Sequence, residues 1–421
     1  MAEKKSKKSN LFAALGAATG LGNALRFPHL VTIYGYSFFV AYAVSLALVC
    51  FPVLTAELNC AKKNTLPVFI QRAAAVNSLI IALYYILICS KLTASAVSFS
   101  LFTRSDGKWY FTLFAVLALC FFLIKKDKLT LSGRASVVCF FGLFIYLAIR
   151  GGLKISFPFG NIFSGSLWVD ALGQSFLSLS LAAGVMPAFA KTLGKNFSAE
   201  KTAAKIIAVN LLGCVLSALG TLPFAEGGES GGLSYAFTVY PRIISAISRT
   251  DFIARLTGVF IYGALGVVAL HSTCSLFLPA VSQLKLKPII FVSVGALLCP
   301  LFSYGGGEVM SACDKMTCSV VAVCIALGEC VCFVFSQKNA LKRIYIGGIC
   351  IILTAFCVLS LCSVRFSGYS TVSAVCAFLC LIAIPCAVLY AQDFKNSTIR
   401  FRSLIDNTRV AYYNKNSCDR N

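Results

Sequence analysis

Asn23 and Arg26 stand in an apolar stretch that has no ordinary use for an amide or a guanidinium: GAATGLGNALRFP, residues 16–28. Residues 16, 20 and 22 of that stretch are glycines, and each glycine costs about 1 kcal/mol against Ala inside a helix. A charged side chain near a bilayer centre costs about 2.5 kcal/mol or more. Both costs are understandable if the helix unwinds midway. Unwound backbone offers carbonyl oxygens that coordinate a cation and helix ends that receive an anionic group. It is tolerated at membrane depth only where it lines a cavity or is buried in protein. Gly16 and Gly20 alone would read as a helix-packing face. Asn23 and Arg26 turn the reading toward a binding site.

A second interruption is expected in the other half of the chain. GQSFLSLSLAAG, residues 173–184, places Ser175, Ser178, Ser180 and Gly184 in another apolar span. Two broken helices, the first and the sixth, fit two five-helix repeats of opposite topology over 11–150 and 166–336. That symmetry is argued from position, not from identity between the halves.

The elements that must hold these residues are membrane helices. The chain has 421 residues, 58% of them hydrophobic and 12% charged, with a mean hydropathy of +0.84. Apolar runs recur along its length. They are read as about twelve spans: 11–30, 33–56, 68–101, 109–124, 133–150, 166–190, 203–224, 252–281, 288–304, 310–336, 343–363 and 369–391. Residues 1–10 form a basic tail, 343–391 two additional helices and 392–421 a second tail. The first run is read as retained, because no small-residue cleavage site precedes its polar residues.

The net charge of +22 invites a nucleic-acid reading, which its distribution rejects. With the N-terminus inside, segments on the cytoplasmic side hold 26 Lys and Arg and the outer loops 9. This is the positive-inside bias; it orients both termini to the cytoplasm of a multi-pass cell-membrane protein. The 20 cysteines lack metal-ligand spacing and read as small apolar packing residues. Only His29 and His271 are histidines, and no HExxH, Walker or Rossmann pattern occurs. An enzyme is disfavoured.

GLGNALRFP resembles the first-helix signature of the neurotransmitter:sodium symporter family, the amino-acid and amine transporters with the LeuT fold. The resemblance runs on through YYILICS in span three, GQSFLSLSL in span six, the outer-loop GGLSYAFTVYP, ALHSTCSLFLP in span eight and ALGE in span ten. It implies an all-α membrane protein with a LeuT-like 5+5 inverted repeat, working as a sodium-coupled amino-acid symporter by alternating access. Residue by residue, it implies a first sodium site made by the Ala18 carbonyl, Asn23, Ser178 and Asn210. All four supply the oxygen a hard cation takes. Tyr85 would donate to the substrate carboxylate, beside the backbone of Ala18, Gly20 and Gly22. Leu21, Ile81, Leu177, Ser180, Ala183, Ser272 and Leu276 would surround the substrate side chain. Arg26 and Asp314 match an outer gate that closes over the substrate, and Glu57 and Glu329 match buried acids read here as structural.

Amine-transporting relatives carry an Asp at the position of Gly20, so an amino acid bringing its own carboxylate fits better. Relatives often carry Phe at Leu177 and Ala183; without the rings a large apolar or aromatic substrate is expected. The second sodium site would use Gly16, Thr19 and Val268 carbonyls with hydroxyls from span eight. Ser272 supplies one, but His271 replaces the other. The site is lost, or the register slips to Ser272 and Thr273, or a proton on His271 replaces the ion; a histidine that merely packs is the plain alternative. Tyr42, Gln174 and Ser178 match chloride-site positions, with Cys214 where a carboxylate or fourth hydroxyl would stand, and the chain is read as chloride-sensitive. Lys91 has no family counterpart: it snorkels to the surface or touches the substrate path. Rival readings are a proton-coupled transporter or exchanger of the same fold, and an amino-acid-binding receptor that transports nothing.

Overall fold

The computed structural model describes residues 11–101, 110–125, 128–152, 158–193, 197–225, 235–285, 287–303, 308–336 and 339–363. The basic tail, the expected span 369–391 and the tail 392–421 lie outside the described residues. Among the described residues the chain is helical, with one isolated bridge between Gly35 and Phe159 and no strand.

The first span breaks where its glycines cluster. Helix α1 (11–18) stops at a turn over Thr19 and Gly20, and a π-helical turn at Gly22–Arg26 leads into α2 (Phe27–Tyr34). Thr19 Oγ1 donates to the Leu15 carbonyl at 3.0 Å, closing the last turn of α1 with a side chain. Pro28 falls in the first turn of α2, where a missing N–H costs nothing.

Helix α3 (Ser37–Ser45) continues through a π-turn (Leu46–Cys50) into α4 (Phe51–Lys63). Next come α5 (Val68–Leu101), α6 (Tyr110–Lys125) and α7 (Leu129–Gly151). The sixth span is again two pieces, α8 (Gly165–Leu179) and α9 (Val185–Thr192). Between them Ser180, Ala182 and Gly184 have φ of +50°, +54° and +69°. A left-handed conformation costs a non-glycine residue roughly 1–3 kcal/mol. Glu57 of α4 is buried against this bend, and its Oε1 accepts the Ala182 N–H at 2.6 Å. The acid read as structural serves the break.

The remaining elements are α10 (Ala199–Thr221), α11 (Tyr235–Ile247), α12 (Asp251–Gln283), α13 (Pro288–Ser303), α14 (Glu308–Met316), α15 (Ala322–Ser336) and α16 (Ala340–Ser363). Helix α11 departs from the sequence reading, which took the stretch ending at Pro241 as outer loop. Its Tyr240 hydroxyl reaches the Ala24 carbonyl at 3.1 Å, so this helix covers the first span.

Seven of the described helices are long and apolar enough to cross a membrane. The reading of about twelve also counted the two broken spans, the 16-residue α6 and α13, and residues 369–391. Helices α5 and α12, of 34 and 33 residues, are each about 50 Å long and form the most extensive helix pair. Helix α5 is apolar on every side and almost wholly buried through its middle, as befits a core helix. The pair carries Tyr84, Tyr85, His271 and Ser272 to the level of the two breaks.

Candidate functional site

The breaks face each other. Gln174 of α8 donates through Nε2 to the Gly22 carbonyl at 3.0 Å. Beside this link lies a small cavity walled by Ala17, Gly20, Leu21 and Gly22 on one side and Leu177, Ser178 and Ser180 on the other. Tyr85 closes it from α5, and Ser272 and Leu276 close it from α12. Ala18, Ile81 and Ala183, expected on this wall, are buried and do not line it. Ala17 lines it and was not expected. Lys91 of α5 does not line it either.

Gly20 sits against Ser272. A Cβ on Gly20 would lie 2.6 Å from Ser272 Oγ, a hydroxyl that is buried and has no hydrogen-bond partner. A side chain there requires the Ser272 hydroxyl to turn aside.

The four residues of the expected cation site come together around the end of α1. The Ala18 carbonyl accepts from Asn23 Nδ2 at 2.9 Å and from Asn210 Nδ2 at 2.8 Å. Asn210 Nδ2 is also 3.4 Å from Asn23 Oδ1. Tyr42 donates to Asn210 Oδ1 at 2.6 Å, and its hydroxyl lies 2.8 Å from Ser178 Oγ. Amide oxygen and nitrogen have nearly the same shape. A half-turn of the two amides therefore sets their oxygens beside the Ala18 carbonyl, at the open negative end of α1. The donor set suits a hard monovalent cation.

Ser217 was missed. Its hydroxyl donates to the Asn23 carbonyl at 2.6 Å. The signal lay in spacing, since Asn210, Cys214 and Ser217 recur at i, i+4 and i+7 and so share one face of α10. Cys214 Sγ reaches the Tyr42 hydroxyl at 3.3 Å. Of the chloride-site positions, Tyr42 thus touches both Ser178 and Cys214, while Gln174 turns its amide nitrogen to Gly22 and leaves Oε1 without a partner.

The expected second cation site is not assembled in the same way. His271 Nε2 lies 3.0 Å from the Ala13 carbonyl and Nδ1 lies 2.9 Å from Ser132 Oγ. Thr273 turns its hydroxyl onto the Ala269 carbonyl of its own helix at 2.8 Å, and Ser272 faces the cavity. The hydroxyls of residues 272 and 273 are therefore not presented together.

Arg26 and Asp314 form an ion pair, Nη1 to Oδ2 at 3.0 Å, with both residues under one-tenth exposed. The other carboxylate oxygen accepts from Tyr84 at 2.8 Å. The Tyr84–Tyr85 pair therefore divides its work: Tyr84 holds the ion pair and Tyr85 faces the cavity.

No family model matches the chain. An uncharacterized sodium-dependent transporter, MJ1319 of Methanocaldococcus jannaschii, is 23% identical over 478 aligned positions, covering 91% of this chain and 96% of the relative. The uncharacterized sodium-dependent transporter YhdH of Bacillus subtilis is 25% identical, over 62% of this chain and 68% of its own. Among solved structures, MhsT in complex with L-phenylalanine superposes with a TM-score of 0.69 at 16% identity, covering 85% of this chain and 98% of that one. At that identity the likeness concerns the fold. The resemblance carried by the first-span signature agrees with these relatives and with this fold, and the chain is a multi-pass membrane protein.

Proposed function

We propose that this chain is a secondary active transporter, not an enzyme, that carries an amino acid across a membrane together with sodium. One observation carries the reading: the Ala18 carbonyl, Asn23 and Asn210 meet at the end of α1, linked through Tyr42 to Ser178, which lines a cavity held between two broken helices. Sodium would be held by the Ala18 carbonyl, the amide oxygens of Asn23 and Asn210 and the Ser178 hydroxyl. The substrate carboxylate would complete the shell, with the Tyr85 hydroxyl donating to it.

Gly20 places no acid on the wall, which favours a substrate that brings its own carboxylate. Leu21, Leu177 and Leu276 supply the apolar part of the wall. A large apolar or aromatic side chain is the class we assign, in keeping with the L-phenylalanine held by MhsT. Contact of such a side chain with Ile81 and Ala183 requires the wall to open further.

Alternating access follows from the two closures. The Arg26–Asp314 ion pair would shut one side of the cavity, and rocking of the broken helices would open the other. With the charge bias setting both termini in the cytoplasm, the Arg26 side faces out and transport runs into the cell. One sodium crossing about 100 mV supplies about 2.3 kcal/mol, and a tenfold gradient adds about 1.4 kcal/mol. Together these support roughly 500-fold accumulation with one tightly coupled ion.

The test is uptake of individually labelled amino acids into proteoliposomes under an inward sodium gradient, against equimolar choline. Uptake of at least one amino acid only with sodium supports the reading; uptake of none, or uptake indifferent to sodium, overturns it. The same vesicles with gluconate in place of chloride test the chloride positions at Tyr42, Gln174 and Ser178, for which lowered uptake is expected.

A further inference from the structure

His271 joins three helices through its two ring nitrogens. The ring is fully buried. Nε2 meets the Ala13 carbonyl of α1 at 3.0 Å, and Nδ1 meets Ser132 Oγ of α7 at 2.9 Å. The ring itself belongs to α12, whose Ser275 Oγ lies 3.3 Å from Nε2. A carbonyl only accepts, so Nε2 carries a proton. On a neutral ring Nδ1 then accepts from the Ser132 hydroxyl, which also lies 3.0 Å from the Leu129 carbonyl.

The backbone around the ring is cut to fit it. A Cβ on Gly16 would lie 2.7 Å from His271 Nε2 and 3.0 Å from Gly133 Cα. A Cβ on Gly133 would lie 2.7 Å from Ala13 Cα. The glycines bring α1 and α7 together backbone to backbone, and the imidazole fills the space that remains beside Gly16. The sequence resemblance expected a cation at this place, held by carbonyls of Gly16, Thr19 and Val268 and two hydroxyls. The imidazole supplies none of the oxygen a hard cation takes; of its neighbours in sequence, Thr273 spends its hydroxyl on the Ala269 carbonyl and Ser272 faces the cavity.

We infer that the imidazole of His271 stands where a second cation would, clasping the first half of the broken first helix to α7 and α12, so that transport is coupled to one sodium only. The inference rests on the sodium-coupled reading above. A bound cation holds helices together only while it stays. A histidine holds them in every cycle, and release of α1 then depends on breaking its bond to Ala13, not on the departure of an ion.

Equilibrium dialysis of the purified full chain with radioactive sodium alone tests this, on the wild type and on His271→Ser and His271→Ala. The expected result is one sodium bound per chain in the wild type and two in His271→Ser, whose new hydroxyl lies next to Ser272. His271→Ala keeps one sodium, and amide hydrogen exchange over residues 11–18 speeds up at least tenfold. Two sodium ions in the wild type, or one in a folded His271→Ser, overturn the inference while leaving sodium coupling intact. No saturable sodium binding in the wild type overturns the sodium reading itself. Should His271→Ser not fold, the wild-type count of one or two still decides.

Discussion

The Tyr84 hydroxyl donates to Asp314 Oδ1 at 2.8 Å, from the opposite side of the carboxylate that Arg26 holds. A buried carboxylate with one oxygen on a guanidinium and the other on a phenol is fixed in orientation as well as in charge. A hydrogen bond to a charged group contributes about 1.5–3 kcal/mol. Tyr84→Phe is therefore expected to slow uptake roughly 10- to 150-fold by weakening closure of the gate. The affinity for sodium should stay unchanged. Tyr85→Phe, one residue on, should instead raise the KM for the amino acid. Parallel uptake kinetics of the two variants check the division.

That division could not be read from the sequence. Two adjacent tyrosines in an apolar helix look alike, and only their 100° separation around the helix axis sends one to Asp314 and the other to the cavity. The break of the first span was legible because glycines, an amide and a guanidinium are all costly in a membrane helix. The sixth break showed in its serines and Gly184, but the left-handed Ser180 and Ala182 are set by what surrounds them, Glu57 included. The partners of His271 lie on helices remote in sequence, and no local pattern announces Ser132 or Ala13. Helix α11 was hidden by its own breakers, since Gly231, Gly232 and Pro241 read as loop, yet Pro241 lies inside the helix.

A side chain at Gly20 should push the Ser272 hydroxyl from its place on the wall. A Cβ there comes within 2.6 Å of Ser272 Oγ but stays 3.6 Å from Ser272 Cβ. Gly20→Ala is expected to lower uptake, and Gly20→Ala combined with Ser272→Ala to recover part of it. A double-mutant cycle on uptake measures the coupling; strictly additive losses would mean that the contact does not matter.

Glu57 should matter as an acceptor more than as a charge. Glu57→Ala leaves the Ala182 N–H buried and unpaired inside a strained bend, a cost of about 1–3 kcal/mol. Glu57→Gln keeps an oxygen at the same reach. Thermal unfolding in detergent should therefore show a clear drop in Tm for the alanine variant and a much smaller one for the glutamine variant.

The central claim is that sodium is held beside the cavity by Ala18, Asn23, Asn210 and Ser178. The most direct measurement is the affinity for the transported amino acid as a function of sodium concentration, in the wild type and in Asn23→Ala. Wild-type affinity should rise with sodium, and the variant should lose that response with at least a tenfold weaker apparent affinity for the ion. A folded Asn23→Ala protein that keeps the full sodium response would contradict the assignment.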